Sequence, residues 1–253
     1  MLEIKDLSVQ FGSRRVLDRV TFSLRPHRLT VLVGRNGSGK STILNCVNQQ
    51  LPYTGAIYEE GKDLALIPPR DRAKTIAILP QTMPSPHITG RELAAFGRNP
   101  YLNFTGWLTE ADKQIVDEAL RDADALSLAD RYVDSLSGGE KQRILLAMIL
   151  AQNTPTLLLD EPTSHMDLNY EGAFLELLRK LKNTRKKTFL VILHDLNLAA
   201  EYADDLIVLD GGQVVFAGTR EECLDREVLE KTFGLRRYTV KDGEENRIFF
   251  RGR

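Results

Sequence analysis

The run Gly34-Arg35-Asn36-Gly37-Ser38-Gly39-Lys40-Ser41-Thr42 leaves the chain few ways to fold around it. An apolar stretch, Leu29-Thr30-Val31-Leu32-Val33, precedes it and reads as a buried strand. Ile43, Leu44 and Val47 follow at the spacing of one helix face. Strand, glycine loop and helix in that order give the G-x-x-x-x-G-K-[ST] pattern the context of a phosphate-binding loop. The glycines let the backbone curl until successive N–H groups point inward at a phosphate. The helix N-terminus adds partial positive charge at the same spot. The candidate binding residues are Gly34, Asn36, Gly37, Ser38, Gly39, Lys40, Ser41 and Thr42, with Lys40 directed at the β- and γ-phosphates and the Ser41 hydroxyl at Mg²⁺. A glycine-rich turn with a chance lysine is the competing reading, and it leaves the flanking strand and helix unexplained. A nucleoside triphosphate is the expected ligand.

At 253 residues the chain can bury a sizeable core, as one large domain or as a core plus a subdomain. A net charge of −1 gives no global pull toward nucleic acid or anionic lipid, so no nucleic-acid partner is expected. Cys46 and Cys223 show neither metal-ligand spacing nor a disulfide framework, and Cys46 reads as a small core residue. The longest apolar run, Ile144 to Ala151, is far short of the roughly 20 residues that span a bilayer. The amino terminus starts a strand-like alternation and carries no basic-then-apolar targeting segment. A soluble, cytoplasmic chain is expected.

Strand patterns dominate the first third: Leu2 and Ile4, then Val20, Phe22 and Leu24 in alternation, then the strand into the glycine loop. From Pro84 to Leu136 the texture turns helical, clearest from Glu110 to Leu120 after a cap at Thr109. A helix is expected after Gly139 to about Gln152, then a buried strand over Thr156–Leu159, a helix over Tyr170–Leu181 and a strand over Thr188–Leu193. Strands alternating with helices predict an α/β fold with a largely parallel sheet. Into that core, about 1–83 and 137–253, a helical subdomain is inserted at about 84–136. Past Gly211-Gly212 come a short hairpin and small helices, and two final strands surround Lys241-Asp242-Gly243. The basic run Arg179, Lys180, Lys182, Arg185, Lys186, Lys187 reads as a solvated helix end rather than a nucleic-acid or lipid patch.

Two further motifs carry chemistry. Leu157-Leu158-Leu159-Asp160-Glu161-Pro162 is a buried strand ending in two acids. Asp160 would hold Mg²⁺, and Glu161 would align and deprotonate an attacking water, a contribution of roughly 10²–10⁴ in rate. Taken alone, the two acids could be ordinary surface carboxylates; the upstream glycine loop argues otherwise. In Leu136-Ser137-Gly138-Gly139-Glu140-Lys141-Gln142-Arg143, Ser137 with Glu140 reads as a helix cap. The cap does not account for two glycines at a helix start, which instead offer exposed N–H groups to an anion.

Ser-Gly-Gly between a phosphate loop and the Asp160-Glu161 strand resembles the signature of ATP-binding cassette ATPases, and the resemblance covers essentially the whole chain. It implies a P-loop core with an N-terminal antiparallel β subdomain, and it implies ATP with Mg²⁺. It also assigns roles residue by residue. Gln81 matches the glutamine loop that contacts metal and water, and His194 the switch histidine that contacts the γ-phosphate. Asp167 matches the dimer loop, in which Met166 replaces the commoner leucine. Phe11 stands where an aromatic ring stacks on adenine. Ser137, Gly138, Gly139 and Glu140 match the signature that completes the partner copy's site in a head-to-tail homodimer. Arg35 stands where proline is common and Glu140 where glutamine is common.

The resemblance narrows on Phe96-Gly97-Arg98-Asn99-Pro100-Tyr101, Ala151-Gln152-Asn153-Thr154-Pro155 and Leu193-His194-Asp195-Leu196-Asn197. Together these are similar to ATPases of bacterial ferric-siderophore importers, the ferric dicitrate type above all, with haem and cobalamin importers as near relatives. Such a subunit would sit peripherally on the cytoplasmic face of the bacterial inner membrane. It would bind integral membrane permease subunits, and through them a periplasmic or lipid-anchored substrate-binding protein. Met83, His87, Tyr101, Phe104 and Trp107 are the candidate anchors for a permease helix. His27, His87 and His165 show no ligand spacing and read as structural or surface residues. A non-transport ATPase of the same family would be expected to carry a coiled-coil insertion, paired cassettes or a basic surface, and none is present. A regulator without turnover would not need both Glu161 and His194.

Overall fold

The computed structural model describes residues 1–102, 106–164, 166–242 and 245–252. It divides into two compact units, one of Met1–Leu66 with Thr188–Arg253 and one of Ile67–Lys187. Alternating apolar residues make β1 (Leu2–Phe11) and β2 (Arg14–Ser23), paired antiparallel with Ile4 opposite Phe22 and Leu7 opposite Val20. A wholly buried strand, β3 (Leu29–Gly34), runs into the glycine loop and α1 (Lys40–Val47). The other edge of β1 takes β4 (Thr54–Glu59), which pairs in turn with β5 (Lys62–Asp63). The second unit opens with α2 (Pro69–Arg72), β6 (Ile76–Leu79), α3 (Gly90–Ala95) and α4 (Glu110–Asp122). It continues with α5 (Gly138–Ala151), β7 (Thr156–Asp160), which lies parallel to β6, and α6 (Leu168–Arg185). The first unit resumes with β8 (Thr188–Ile192), α7 (Leu196–Tyr202), and the hairpin of β9 (Asp205–Asp210) and β10 (Gln213–Thr219). Short helices α8 (Arg220–Asp225) and α9 (Val228–Phe233) lead to the hairpin of β11 (Leu235–Asp242) and β12 (Glu245–Gly252).

The fold is α/β, as the alternation predicts. In the first unit β8 and β9 flank β3 in parallel, so that Val31 faces Val191 on one side and Leu206 on the other. Strands β3, β7 and β8 are buried at every position, which is why they read as continuous apolar runs rather than as alternations. The antiparallel sheet of β2, β1, β4 and β5 is the expected N-terminal β subdomain. The β9–β10 turn lies hard against β2. Gly211 and Gly212 both have positive φ, and a Cβ on Gly212 would stand 2.4 Å from the Val16 carbonyl. Asp18 N–H donates to Gly212 O (2.9 Å) and Gln213 Nε2 to Asp18 Oδ2 (2.8 Å), closing that contact.

Residues 84–136 hold α3, α4 and 3-10 turns, with Pro100 inside the 3-10 helix Phe96–Tyr101. Arg98 is buried there, donating to Asp112 Oδ1 (2.9 Å) and Ala151 O (2.8 Å) beneath the Tyr101 ring. Tyr101 OH donates to Gln152 O (3.0 Å), and Gln152 Nε2 to Ile76 O (3.0 Å). The two motifs around Arg98 and Gln152 are therefore one buried network.

Two expectations are corrected. The helix placed at Tyr170–Leu181 runs from Leu168 to Arg185, where Lys182 and Arg185 suit the negative end of the helix and Asp122 receives Arg185 at 2.6 Å. The basic run that follows is not solvated throughout. Arg179 is exposed, but the Lys187 amine donates to Thr154 O (2.7 Å), and burial lowers its pKa from the usual lysine value.

Four helices begin with a reciprocal cap: Thr89 with Glu92, Thr109 with Asp112, Ser137 with Glu140, Thr219 with Glu222. Bonds donated by the cap residue's N–H and hydroxyl hold all four carboxyls below their ordinary range. A depressed folded-state pKa contributes stability above the unfolded value, about 4, and that contribution disappears as pH falls through the folded value. Thermal unfolding followed by circular dichroism is expected to show a falling Tm below about pH 4, and a shallower fall in Glu92→Gln. Parallel curves for the two proteins would refute this account.

Candidate active site

The glycine loop lies in the first unit. A Cβ on Gly34 would stand 2.5 Å from Leu209 O and 2.6 Å from Ser38 Oγ, so only glycine lets the loop leave β3 beside β9. Gly37 and Gly39 have φ of 76° and 105°, in the left-handed region that favours glycine. Lys40 is buried, and its amine donates to Gly34 O (2.9 Å) and Arg35 O (3.3 Å), drawing the loop into a ring around it. Ser38 Oγ is buried without a hydrogen-bond partner among the described residues. Buried hydroxyls are nearly always satisfied, so an orphan acceptor–donor at this mouth fits a phosphate oxygen. Ser41 and Thr42 begin α1 just beyond. Phe11 ends β1 with its ring 49% exposed, available for stacking. His194 lies two residues beyond the end of β8 and precedes Asp195, which caps α7.

The carboxylates lie in the second unit. Asp160 closes β7 and is buried, whereas Glu161 is half-buried with φ of 49°. A glutamate in left-handed backbone costs about 1–2 kcal/mol, and such strain clusters at functional positions. Gln81 Nε2 donates to Glu161 Oε2 at 2.6 Å, so the two residues 80 positions apart meet directly. That bond orients the carboxylate.

Ser137, Gly138, Gly139 and Glu140 form the first turn of α5 and line a concave surface of about 510 Å³ with Arg143, Asp167 and Tyr170. The signature residues and Asp167 thus share one surface. Space around Gly139 is open to 4 Å, which keeps its N–H approachable. Bonds from the Ser137 N–H and hydroxyl, and after them the Arg131 guanidinium at 2.6 Å, hold the Glu140 carboxyl low and account for an acid at this position. The sequence reading missed Arg131, Arg143 and Tyr170. An arginine nine residues before an unusual glutamate was the available signal for the first. It also missed Lys141, whose amine donates to Met83 O (3.0 Å) and Ser85 Oγ (2.5 Å) in the segment after Gln81.

The remaining expected residues separate. Among the candidate permease anchors, Trp107 is 81% exposed and His87 is exposed, stacked on Tyr132 and bonded to Asp134 (2.8 Å). Tyr101 belongs to the Arg98 network and Met83 is half-buried. Phe104 and His165 lie outside the described residues. His27 is an exposed turn residue with φ of 57°. Among the described residues no helix is long and apolar enough to cross a membrane.

The model of the ABC transporter family matches residues 17–164. The chain belongs to that family. It is 36% identical over 248 residues to the iron(3+)-hydroxamate import ATP-binding protein FhuC of Bacillus subtilis, covering 97% of this chain and 92% of that one. It is 38% identical to the achromobactin transport ATP-binding protein CbrD of Dickeya dadantii, covering 91% and 87%. Among solved structures, a chain of a metal-chelate type ABC transporter in an inward-facing conformation superposes with a TM-score of 0.85 at 26% identity, covering 98% and 95%. The ADP- and Pi-bound dimer of the ATP-binding cassette MJ0796 gives 0.73 at 26%, covering 87% and 99%. The chain is accordingly an ATP-binding, ATP-hydrolysing subunit coupled to transport.

Cys46 lies in α1 behind the glycine loop, with its thiol pushed up to about 11 by burial, and Cys223 is pushed up to about 12. A thiolate reagent at pH 8 is expected to titrate neither cysteine in the folded protein and both in urea. Rapid labelling of Cys46 in the folded protein would mean that α1 is not packed as described.

Proposed function

We propose that this chain is the ATPase of a bacterial importer for an iron chelate, a ferric siderophore with the citrate type foremost. Its similarity to importer ATP-binding proteins over nearly its whole length supports the cargo class. The catalytic reading rests on one contact, the Gln81 amide on the Glu161 carboxylate at the end of a buried strand. In this reading the loop N–H groups, Lys40 and Ser38 hold the phosphates, Phe11 stacks on the adenine, and His194 contacts the γ-phosphate. Glu161 takes the proton of the attacking water. Ser41, Asp160 and Gln81 would hold Mg²⁺. Their hydroxyl, carboxylate and amide oxygens are the hard donors that ion takes when phosphates and water complete its shell. Mg²⁺ supplies charge neutralisation in phosphoryl transfer, and the protein supplies position.

Ser137, Gly138, Gly139, Glu140 and Asp167 face the nucleotide of a second copy in a homodimer. That dimer works beneath membrane permease subunits, peripheral on the cytoplasmic face of the inner membrane. The permease in turn receives the chelate from a periplasmic or lipid-anchored binding protein. The exposed Trp107 and the segment after Gln81 support a permease contact there. Haem and cobalamin are the second and third cargo readings.

Glu161→Gln keeps the side chain's size and removes its basicity. ATP affinity by calorimetry should stay unchanged while phosphate release falls by roughly 10²–10⁴. Near-normal turnover would mean another residue is the base. Lys40→Ala should weaken ATP binding itself. The cargo is tested in a deletion strain scored for growth and labelled uptake on each ferric chelate, on haem and on cobalamin. Loss confined to ferric citrate is expected, and unchanged uptake of every iron chelate would remove the cargo assignment while leaving the ATPase intact.

A further inference from the structure

Two side chains with no role so far reach the same part of the first unit. Arg35 stands inside the glycine loop, where the family commonly has proline. Its guanidinium donates to Thr232 O at 2.9 Å and lies 3.8 Å from Asp210. Thr232 belongs to α9, which ends at Gly234 with φ of 70°, and its carbonyl is at the partially negative end of that helix. Asn197 sits in the first turn of α7, and its Oδ1 accepts the Phe250 N–H of β12 at 2.6 Å. Phe250 is buried there.

That first turn carries the loop of His194. Asp195 Oδ1 accepts the N–H groups of Asn197 (2.6 Å) and Leu198 (3.2 Å), so residue 195 is locked to the turn and residue 194 is its chain neighbour. The terminal segment is itself anchored. Arg237 of β11 donates to Leu224 O (2.8 Å) and pairs with Glu230 (3.1 Å), fastening the hairpin to α8 and α9. One segment therefore touches the glycine loop through one side chain and the His194 loop through another.

We propose that α9 and the β11–β12 pair brace these two loops against one another, with Arg35 and Asn197 as the positioning residues. The inference rests on the roles assigned above to the glycine loop and His194. Neither Arg35 nor Asn197 touches nucleotide in it. Their effect is geometric, and geometry is enough: a displacement of about 1 Å at a reacting group can cost about 10²-fold in rate.

The test compares the full-length wild type with Asn197→Ala, Asn197→Asp and Arg35→Met. Backbone amide exchange and steady-state ATP hydrolysis are measured on each. In Asn197→Ala, amides at 193–199 and 249–251 should exchange faster, and kcat should fall about tenfold with KM for ATP within about twofold. Asn197→Asp keeps the Oδ1 acceptor and should recover most of the kcat. Arg35→Met should loosen 35–39 together with 231–234. Unchanged exchange at both loops, or an unchanged kcat in Asn197→Ala, overturns the brace. Faster exchange spreading equally through β3 and β8 also overturns it, since that is general destabilisation. A wild type that hydrolyses no ATP removes the ATPase reading instead, and the exchange measurements still decide the brace.

Discussion

The Lys40 amine on the Gly34 and Arg35 carbonyls is the interaction that the nucleotide-facing half depends on. An ammonium buried in a loop is costly unless its donors are met. Here the loop's own carbonyls meet them, and doing so bends the loop back over the start of α1. The bend is possible only because Gly34 can lie against the β9 backbone, where a Cβ would be 2.5 Å from Leu209 O. Since β9 is parallel to β3 with Gly34 opposite Leu209, the sheet register itself sets where the loop begins. In the reading proposed above, a triphosphate offers the amine stronger, anionic acceptors than two carbonyls, and it takes over contacts that the loop's own carbonyls make.

The other half is built on a different economy of constraint. Glu161 sits in a backbone conformation that glutamate does not favour, immediately before Pro162 and after a strand with every residue buried. The strand fixes its position and Gln81 sets the orientation of its carboxylate, while Pro162, which favours extended backbone at the residue before it, adds to the strain. In the reading proposed above, a base held by these two restraints loses little entropy when it acts, which is the preorganisation that catalysis by positioning requires.

Much of this was legible in the residues. Continuous apolar runs marked β3, β7 and β8 because parallel strands are covered on both faces, and a cap at Thr109 marked the start of α4. The glycine loop announced itself through spacing alone. What stayed hidden is long-range pairing of polar groups, which leaves no periodic trace. Gln81 was singled out only through family resemblance, and its bond to Glu161, like those of Lys141 to Ser85, Arg35 to Thr232 and Asn197 to Phe250, was not expected. Lys187 shows the same limit. A cationic run looks solvated until the fold brings the Thr154 carbonyl beside one of its members.

Gly97 carries a mechanical consequence. A Cβ there would stand 2.1 Å from Met148 O, and just beyond it Arg98 grips Ala151 O while Tyr101 grips Gln152 O. Backbone seated on backbone with flanking bonds is a joint without play. The Phe96–Tyr101 turn cannot slide along α5, so a push delivered near it must carry α5 along as a rigid lever. The far end of that lever is Ser137. A displacement of that turn would therefore reach the Ser137 turn through the whole length of α5.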